Sequence, residues 1–168
     1  MSGGTQSDLE QRIQRLEDIE AIKRLKMEYA TACDRNYDAA AVAELFVEDA
    51  VWESNVLGTY QGRAEIYDFI DGSERETPWI VHIVTNARID VAPSGENATG
   101  AFSLLEISTV TDEHSAEGGD SVVSTATYED TFVKHDGRWY FQRVIANWHQ
   151  ISNLDPGWAR QRFRGATA

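Results

Sequence analysis

The sequence predicts an α+β fold: helices first, then a strongly curved antiparallel sheet with those helices closed over its concave, apolar face. Three observations carry this expectation. In the first third of the chain, apolar residues recur three and four positions apart, the period of a helix buried along one stripe. From about residue 80 the period changes to two, the mark of strands with one covered face. The alternating segments are separated by short turn chemistry, Pro93-Ser94-Gly95-Glu96-Asn97 and His135-Asp136-Gly137, so consecutive strands are expected to pair as hairpins.

Residues 1–7 read as a disordered lead that ends on Ser7, an N-cap whose capping box is completed by Glu10. Leu9, Ile13, Leu16, Ile19, Ile22, Leu25, Tyr29 and Ala32 then define one long amphipathic helix. Its first half is a separate turn or a docking surface for another subunit. Arg35-Asn36-Tyr37-Asp38 breaks the pattern, and Asp38 caps a second helix in which Val42, Leu45 and Phe46 face inward. Residues 50–53 read as a short strand and 55–62 as turns. A third helix over 63–70 turns Ile66, Phe69 and Ile70 inward and stops at Gly72. Four strands are placed near 80–91, 98–112, 121–134 and 138–150, with a polar loop at 113–120. The tail, 153–168, carries Trp158 and Phe163 among Arg160, Arg162 and Arg164, and is placed to close over a pocket mouth. No repeat, low-complexity tract or linker divides residues 1–168, which read as one domain.

At 168 residues and 42% hydrophobic, with five tryptophans, the chain can bury a sizeable core. Its formal net charge of −13 disfavours nucleic acid or an anionic membrane surface as partner. No apolar run approaches the roughly 20 residues a membrane span needs, and the polar N-terminus lacks a targeting core, so a cytoplasmic protein is expected. The single cysteine, Cys33, excludes an intramolecular disulfide and reads as a small buried filler.

The most informative stretch is Trp79-Ile80-Val81-His82-Ile83-Val84-Thr85-Asn86, a buried strand with one histidine in an apolar run. Alternation puts His82, Val84 and Asn86 on one side. An imidazole there needs a partner, and Asp34, at the end of the long helix, is the best candidate. A carboxylate would fix the ring's tautomer and steady its protonated form, making a base that works near neutral pH. The alternative is a core histidine satisfied by a backbone carbonyl or a hydroxyl.

Tyr29 reads either as core packing or as a phenol donating to a substrate oxygen. It lies five residues before Asp34, about 140° away around an ideal helix, so both reach one pocket only if the helix loosens near Cys33. Glu106 is a carboxylate in an apolar strand, a proton donor if buried and a solvated edge residue if not. Trp52, Val84, Phe102 and Trp148 complete the expected substrate-binding surface. His114 and His135 sit in polar turns, and His149 is left open. No histidine or carboxylate spacing supports a metal, and there is no phosphate loop or Gly-x-Ser-x-Gly elbow.

Taken in order, these motifs resemble the SnoaL-like branch of the nuclear-transport-factor-2-like superfamily. The likeness runs through Ile19-Glu20-Ala21-Ile22-Lys23-Arg24-Leu25-Lys26, Tyr29 and Asp34, then Phe46-Val47-Glu48-Asp49-Ala50-Val51-Trp52. It continues in Val81-His82, Thr85-Asn86 and Asp136-Gly137-Arg138-Trp139-Tyr140-Phe141. The resemblance implies a cone-shaped α+β barrel. It is strongest to the scytalone dehydratase, lindane dehydrochlorinase and bile-acid 7α-dehydratase group, where an Asp–His dyad removes a proton without a cofactor. Asp34, His82 and Tyr29 match that machinery, and Glu106 matches a strand carboxylate of the bile-acid enzyme. One departure stands out. Relatives often carry an arginine on the pocket face of the last strand, whereas alternation from Tyr140 through Gln142, Val144 and Ala146 puts Trp148 there and Arg143 on the far side. That favours a flat ligand stacked on Trp148.

The expectation is therefore a cofactor-free lyase performing a dehydratase-type elimination on a hydrophobic cyclic small molecule, assembled as a homo-trimer or homo-dimer. The alternatives are an isomerase, cyclase or retro-aldol lyase using the same dyad, or a non-catalytic binding or scaffold module like the small subunit of a ring-hydroxylating dioxygenase.

Overall fold

Apolar residues at helical spacing become α1, Gly3–Asp34, the helix that carries one half of the site. Ile22, Leu25, Tyr29 and Ala32 are buried, while Leu9, Ile13 and Leu16, which continue the same stripe toward the N-terminus, are exposed. The helix begins at Gly3, four residues ahead of the expected Ser7 cap, with no proline in that stretch to stop it. The computed structural model describes residues 3–113, 115–155, 157, 161 and 163–164, the side chains of 3–5 and 7 excepted. Met1, Ser2, His114, Trp158, Arg160 and Arg162 lie outside the described residues.

Two short helices follow, α2 (Ala39–Ala43) and α3 (Gly62–Ser73), with strands β1 (Phe46–Ser54) and β2 (Gly58–Gln61) between them. The second half supplies β3 (Trp79–Val91), β4 (Asn97–Val110), β5 (Asp120–His135) and β6 (Arg138–Asn153). These six strands form one sheet in the order β2-β1-β6-β5-β4-β3.

The sheet is mixed rather than antiparallel throughout. β1 lies parallel to β6, with Phe46 opposite Phe141 and Trp52 opposite Val144. Phe46 and Leu45 were expected in the second helix. Instead Leu45 offers its carbonyl to the Phe141 N–H (2.9 Å), and the Phe46 and Phe141 rings stack at 5.0 Å. The core lies between the inner face of the sheet and the helices, where Ile22, Phe46, Ile66, Ile70, Phe132 and Phe141 are fully buried.

Bulges in β3 and β6 decide which side chains reach that inner face. In β3 the register slips between Thr85 and Arg88, and Asn86, with φ of 55°, turns outward to bond Ser103. Asn86 therefore leaves the face shared by His82 and Val84. In β6 the register slips near Gln142, so Trp139 and Phe141 point inward before the slip, and Val144, Ala146 and Trp148 after it. Tyr140 and Gln142 were expected on the inner face and are not. A bulge inserts one unpaired residue and thereby flips the parity of everything beyond it. β3 is also an edge strand with one covered face: Ile80 is buried, whereas Trp79 and Ile83 are exposed. Among the described residues no helix is long and apolar enough to cross a membrane.

Candidate active site

Asp34 is the last residue of α1. Beyond it the chain turns through two left-handed residues, Asn36 (φ 54°) and Tyr37 (φ 51°). The Tyr37 N–H donates to the Cys33 carbonyl (2.9 Å) and the Asp38 N–H to the Ala32 carbonyl (3.0 Å), satisfying the end of the helix. Asp38 then caps α2 by accepting from the Ala41 N–H at 3.1 Å, as its position in the sequence implied.

This turn aims Asp34 at the open edge of β3. Its Oδ1 accepts the backbone N–H of His82 at 2.9 Å and lies 2.7 Å from His82 Nδ1. One carboxylate oxygen therefore caps an edge strand and holds the ring that the strand carries. Because that N–H faces away from β4, His82 and the directly opposite Glu106 form a non-hydrogen-bonded pair, the kind with closer side chains. His82 Nε2 consequently lies 3.5 Å from Glu106 Oε2. The His82 side chain is 6% exposed and that of Asp34 29%.

Glu106 sits opposite Ser124 of β5, and two residues along from it Ser108 also faces inward. Burial pushes the Glu106 carboxyl up from the usual carboxylate range, against the opposing pull of His82 and of the neighbouring Ser124 hydroxyl. Burial, then the charge of Asp34, pushes the Cys33 thiol up to about 12, which leaves it inert.

Glu106 opens into a cavity of about 560 Å³. Trp148, Val110, Val122, Ile151 and Phe69 supply apolar wall, and Tyr37, Ser108, Ser124, Thr77, Glu76 and Asp112 supply polar wall. Phe163 and Arg164 of the C-terminal tail line it too, with Phe163 bridged in parallel to Ile151. The wall is mostly apolar, as expected, with these polar groups set into it. Volumes of this order suit a small molecule of a few rings. Among the described residues no group of three or more His, Cys, Asp or Glu is arranged to hold a metal ion.

Of the expected site residues, Glu106 and Trp148 line this cavity, His82 and Asp34 adjoin Glu106 without lining it, and four others are kept apart. Tyr29 is in the core, its ring edge-on to Phe46, Tyr128 and Phe141, and its hydroxyl oxygen accepts from Trp52 Nε1 at 3.1 Å. The helix stays regular to Asp34, so the angular offset between Tyr29 and Asp34 sends them to different places. Trp52 packs on Phe69 with ring centroids 4.6 Å apart. Phe102 is buried in the core and Val84 packs against it. His149 is exposed at a bulge, 3.4 Å from Thr127 Oγ1.

Tyr37, Ser108, Ser124 and Arg164 were not singled out from the sequence. The two serines had a usable signal: with Glu106 they are polar residues at inward positions of alternating strands. Arg143 points outward to Glu53 at 2.6 Å, as alternation implied. The arginine of this cavity comes from the tail instead.

The chain matches the SnoaL-like domain over residues 14–145. It belongs to the SnoaL-like family. The gamma-hexachlorocyclohexane dehydrochlorinase of Sphingobium indicum is 24% identical over 136 residues, covering 78% of this chain and 80% of that protein. Among solved structures, a candidate scytalone dehydratase from Novosphingobium aromaticivorans superposes with a TM-score of 0.75 at 25% identity, covering 85% of this chain and 91% of that one. A nuclear-transport-factor-2-like protein of cystatin-like fold from the same organism superposes with a TM-score of 0.65 at 26% identity, over 91% and 92% of the two chains. The family fold is therefore the one expected, with helices against a curved, mixed, six-stranded sheet.

Chemically, a neutral imidazole that donates Nδ1–H to a carboxylate leaves the Nε2 lone pair free to accept a proton. Beside that lone pair stands the Glu106 carboxyl, which burial shifts toward its protonated form.

Proposed function

We propose that this member of the SnoaL-like family is a lyase that eliminates water from a hydrophobic, cyclic small molecule without a cofactor. The observation that carries the reading is the Asp34–His82 contact of 2.7 Å, with His82 Nε2 turned to Glu106 on the cavity wall. The distant relationship to a dehydrochlorinase and the likeness to a candidate scytalone dehydratase support the same class of reaction.

In this mechanism His82 Nε2 takes a proton from a ring carbon next to a carbonyl, and Asp34 steadies the imidazolium that forms. The electron pair of the broken C–H bond becomes the new C=C bond as the C–O bond to the hydroxyl breaks. Glu106, in its protonated form, gives its proton to the departing hydroxyl, which leaves as water. The imidazolium then returns a proton to the Glu106 carboxylate across 3.5 Å, and the site is reset. Acid–base catalysis of this kind contributes about 10²–10⁴-fold. Tyr37, which lines the cavity, is assigned the substrate contact first expected of Tyr29. The exposed Leu9, Ile13 and Leu16 of α1 support self-association into a dimer or trimer.

The test is product mass analysis with cyclic β-hydroxy ketones. Wild type releases a product lighter by one water, and His82→Ala, folded by circular dichroism, releases none. Equal turnover in His82→Ala overturns the proposal, and a product of unchanged mass replaces elimination by isomerisation with the same base.

A further inference from the structure

Two buried side chains on the cavity wall carry N–H donors with no acceptor among the described residues. Trp148 is 8% exposed and its indole Nε1 is unpaired. The Arg164 side chain is 9% exposed, and its Nε and Nη1 are unpaired as well. Both residues line the cavity that holds Glu106. Buried donors without acceptors are costly, so their collection on one wall calls for a ligand that supplies the acceptors.

Both are firmly placed. Asn55 clamps the backbone of Trp148, donating to its carbonyl (3.0 Å) and accepting its N–H (2.8 Å). Arg164 Nη2 is fastened to Asp112 (2.9 Å), Asp120 (3.0 Å) and Ser115 (3.1 Å), and its backbone N–H donates to the Ile151 carbonyl at 2.7 Å.

We infer that Trp148 and Arg164 are the donors that orient the substrate, and that the substrate is a ring bearing a neutral carbonyl or hydroxyl oxygen rather than a halocarbon or a carboxylate. The inference rests on the cavity being the substrate site of the elimination proposed above and narrows its substrate class. A carbon-bound halogen is a poor hydrogen-bond acceptor and would leave both donors unsatisfied. A carboxylate would meet an arginine whose charge two aspartates already balance, in a cavity also lined by Glu76. A neutral oxygen satisfies the donors without adding to that negative potential.

The test is calorimetric titration with probes of similar bicyclic skeleton: 1-tetralone, tetralin, 1-chloronaphthalene and tetralin-1-carboxylate. The ketone binds wild type at least tenfold tighter than the other three, the scale of one hydrogen bond to a charged donor. Arg164→Met removes most of that preference and Trp148→Phe about threefold of it, while tetralin affinity stays within threefold. If Arg164→Met loosens the tail, Trp148→Phe decides, because its Asn55 clamp is made by backbone and survives. Equal binding of ketone and hydrocarbon, tightest binding of the carboxylate, binding of none of the probes, or an unchanged preference in both variants each overturns the inference. Binding needs no proton transfer, so His82→Ala keeps the ketone preference. Unaltered turnover in that variant sinks the catalytic reading and leaves the donor assignment standing.

Discussion

Replacing Lys26 by methionine unfolds the protein early. The Lys26 ammonium and the Asp130 carboxylate form an ion pair at 2.9 Å, and both side chains are 0% exposed. The ammonium also lies over the Tyr128 ring, 3.3 Å from its centroid. Burial holds the Lys26 pKa below its usual value and pushes Asp130 up to about 6, each against the pull of the other. Removing the lysine strands a carboxylate in the core, a change that costs about 3–5 kcal/mol. Each kcal/mol is worth about 2–4 °C in a domain of this size, so Tm falls by about 6–20 °C.

The pH dependence has a definite sign. Without Lys26 the folded-state pKa of Asp130 rises further above its unfolded value, so the folded state holds a proton that the unfolded state releases. Stability then falls as pH rises, and the penalty is larger at pH 8 than at pH 5. The double variant Lys26→Met/Asp130→Val recovers most of the loss, since it removes both charges. Thermal unfolding followed by circular dichroism at the two pH values measures all of this. A loss below 2 °C, a penalty greater at pH 5, or a double variant no better than the single refutes the reasoning. The pair matters for function because it anchors α1 to β5 eight residues before Asp34, and so helps set where that carboxylate arrives.

Two further outcomes follow from the geometry. Glu106→Gln removes a carboxyl whose folded pKa is raised, so wild type loses stability relative to the variant as pH climbs through that raised value; differential scanning calorimetry at pH 4 and pH 8 shows the variant gaining on wild type at pH 8. Gly100→Ala puts a Cβ 2.9 Å from ring carbons of both Phe102 and Phe132, and the crowding lowers stability by about 1–3 kcal/mol in urea unfolding.

The sequence is legible where a local period controls the structure. The stripe of α1, the four long strands and the two hairpin turns come from repeats of 3.6 and 2 and from turn residues, and all are found. The parallel pairing of β1 with β6 is not legible, because it joins Phe46 to Phe141 across the whole intervening chain and leaves no local pattern. β2, read as turns, is a four-residue edge strand too short to show a period. In the candidate site, the Asp34–His82 contact was foreseeable from an apolar strand with one polar group to satisfy. Tyr37 was not, since it reaches the cavity only through a left-handed backbone that propensity disfavours for tyrosine. Arg164 was visible as a charge in the tail, but its position depends on Phe163 bridging to Ile151.

The central claim is that His82 removes a proton from carbon. Its most direct test is solvent deuterium incorporation next to the carbonyl of 1-tetralone, followed by NMR in D₂O, because exchange requires proton removal and no leaving group. The account predicts that wild type accelerates exchange over buffer at least a hundredfold and that His82→Ala returns it to the buffer rate. Exchange by His82→Ala as fast as wild type, or no acceleration by wild type, contradicts it.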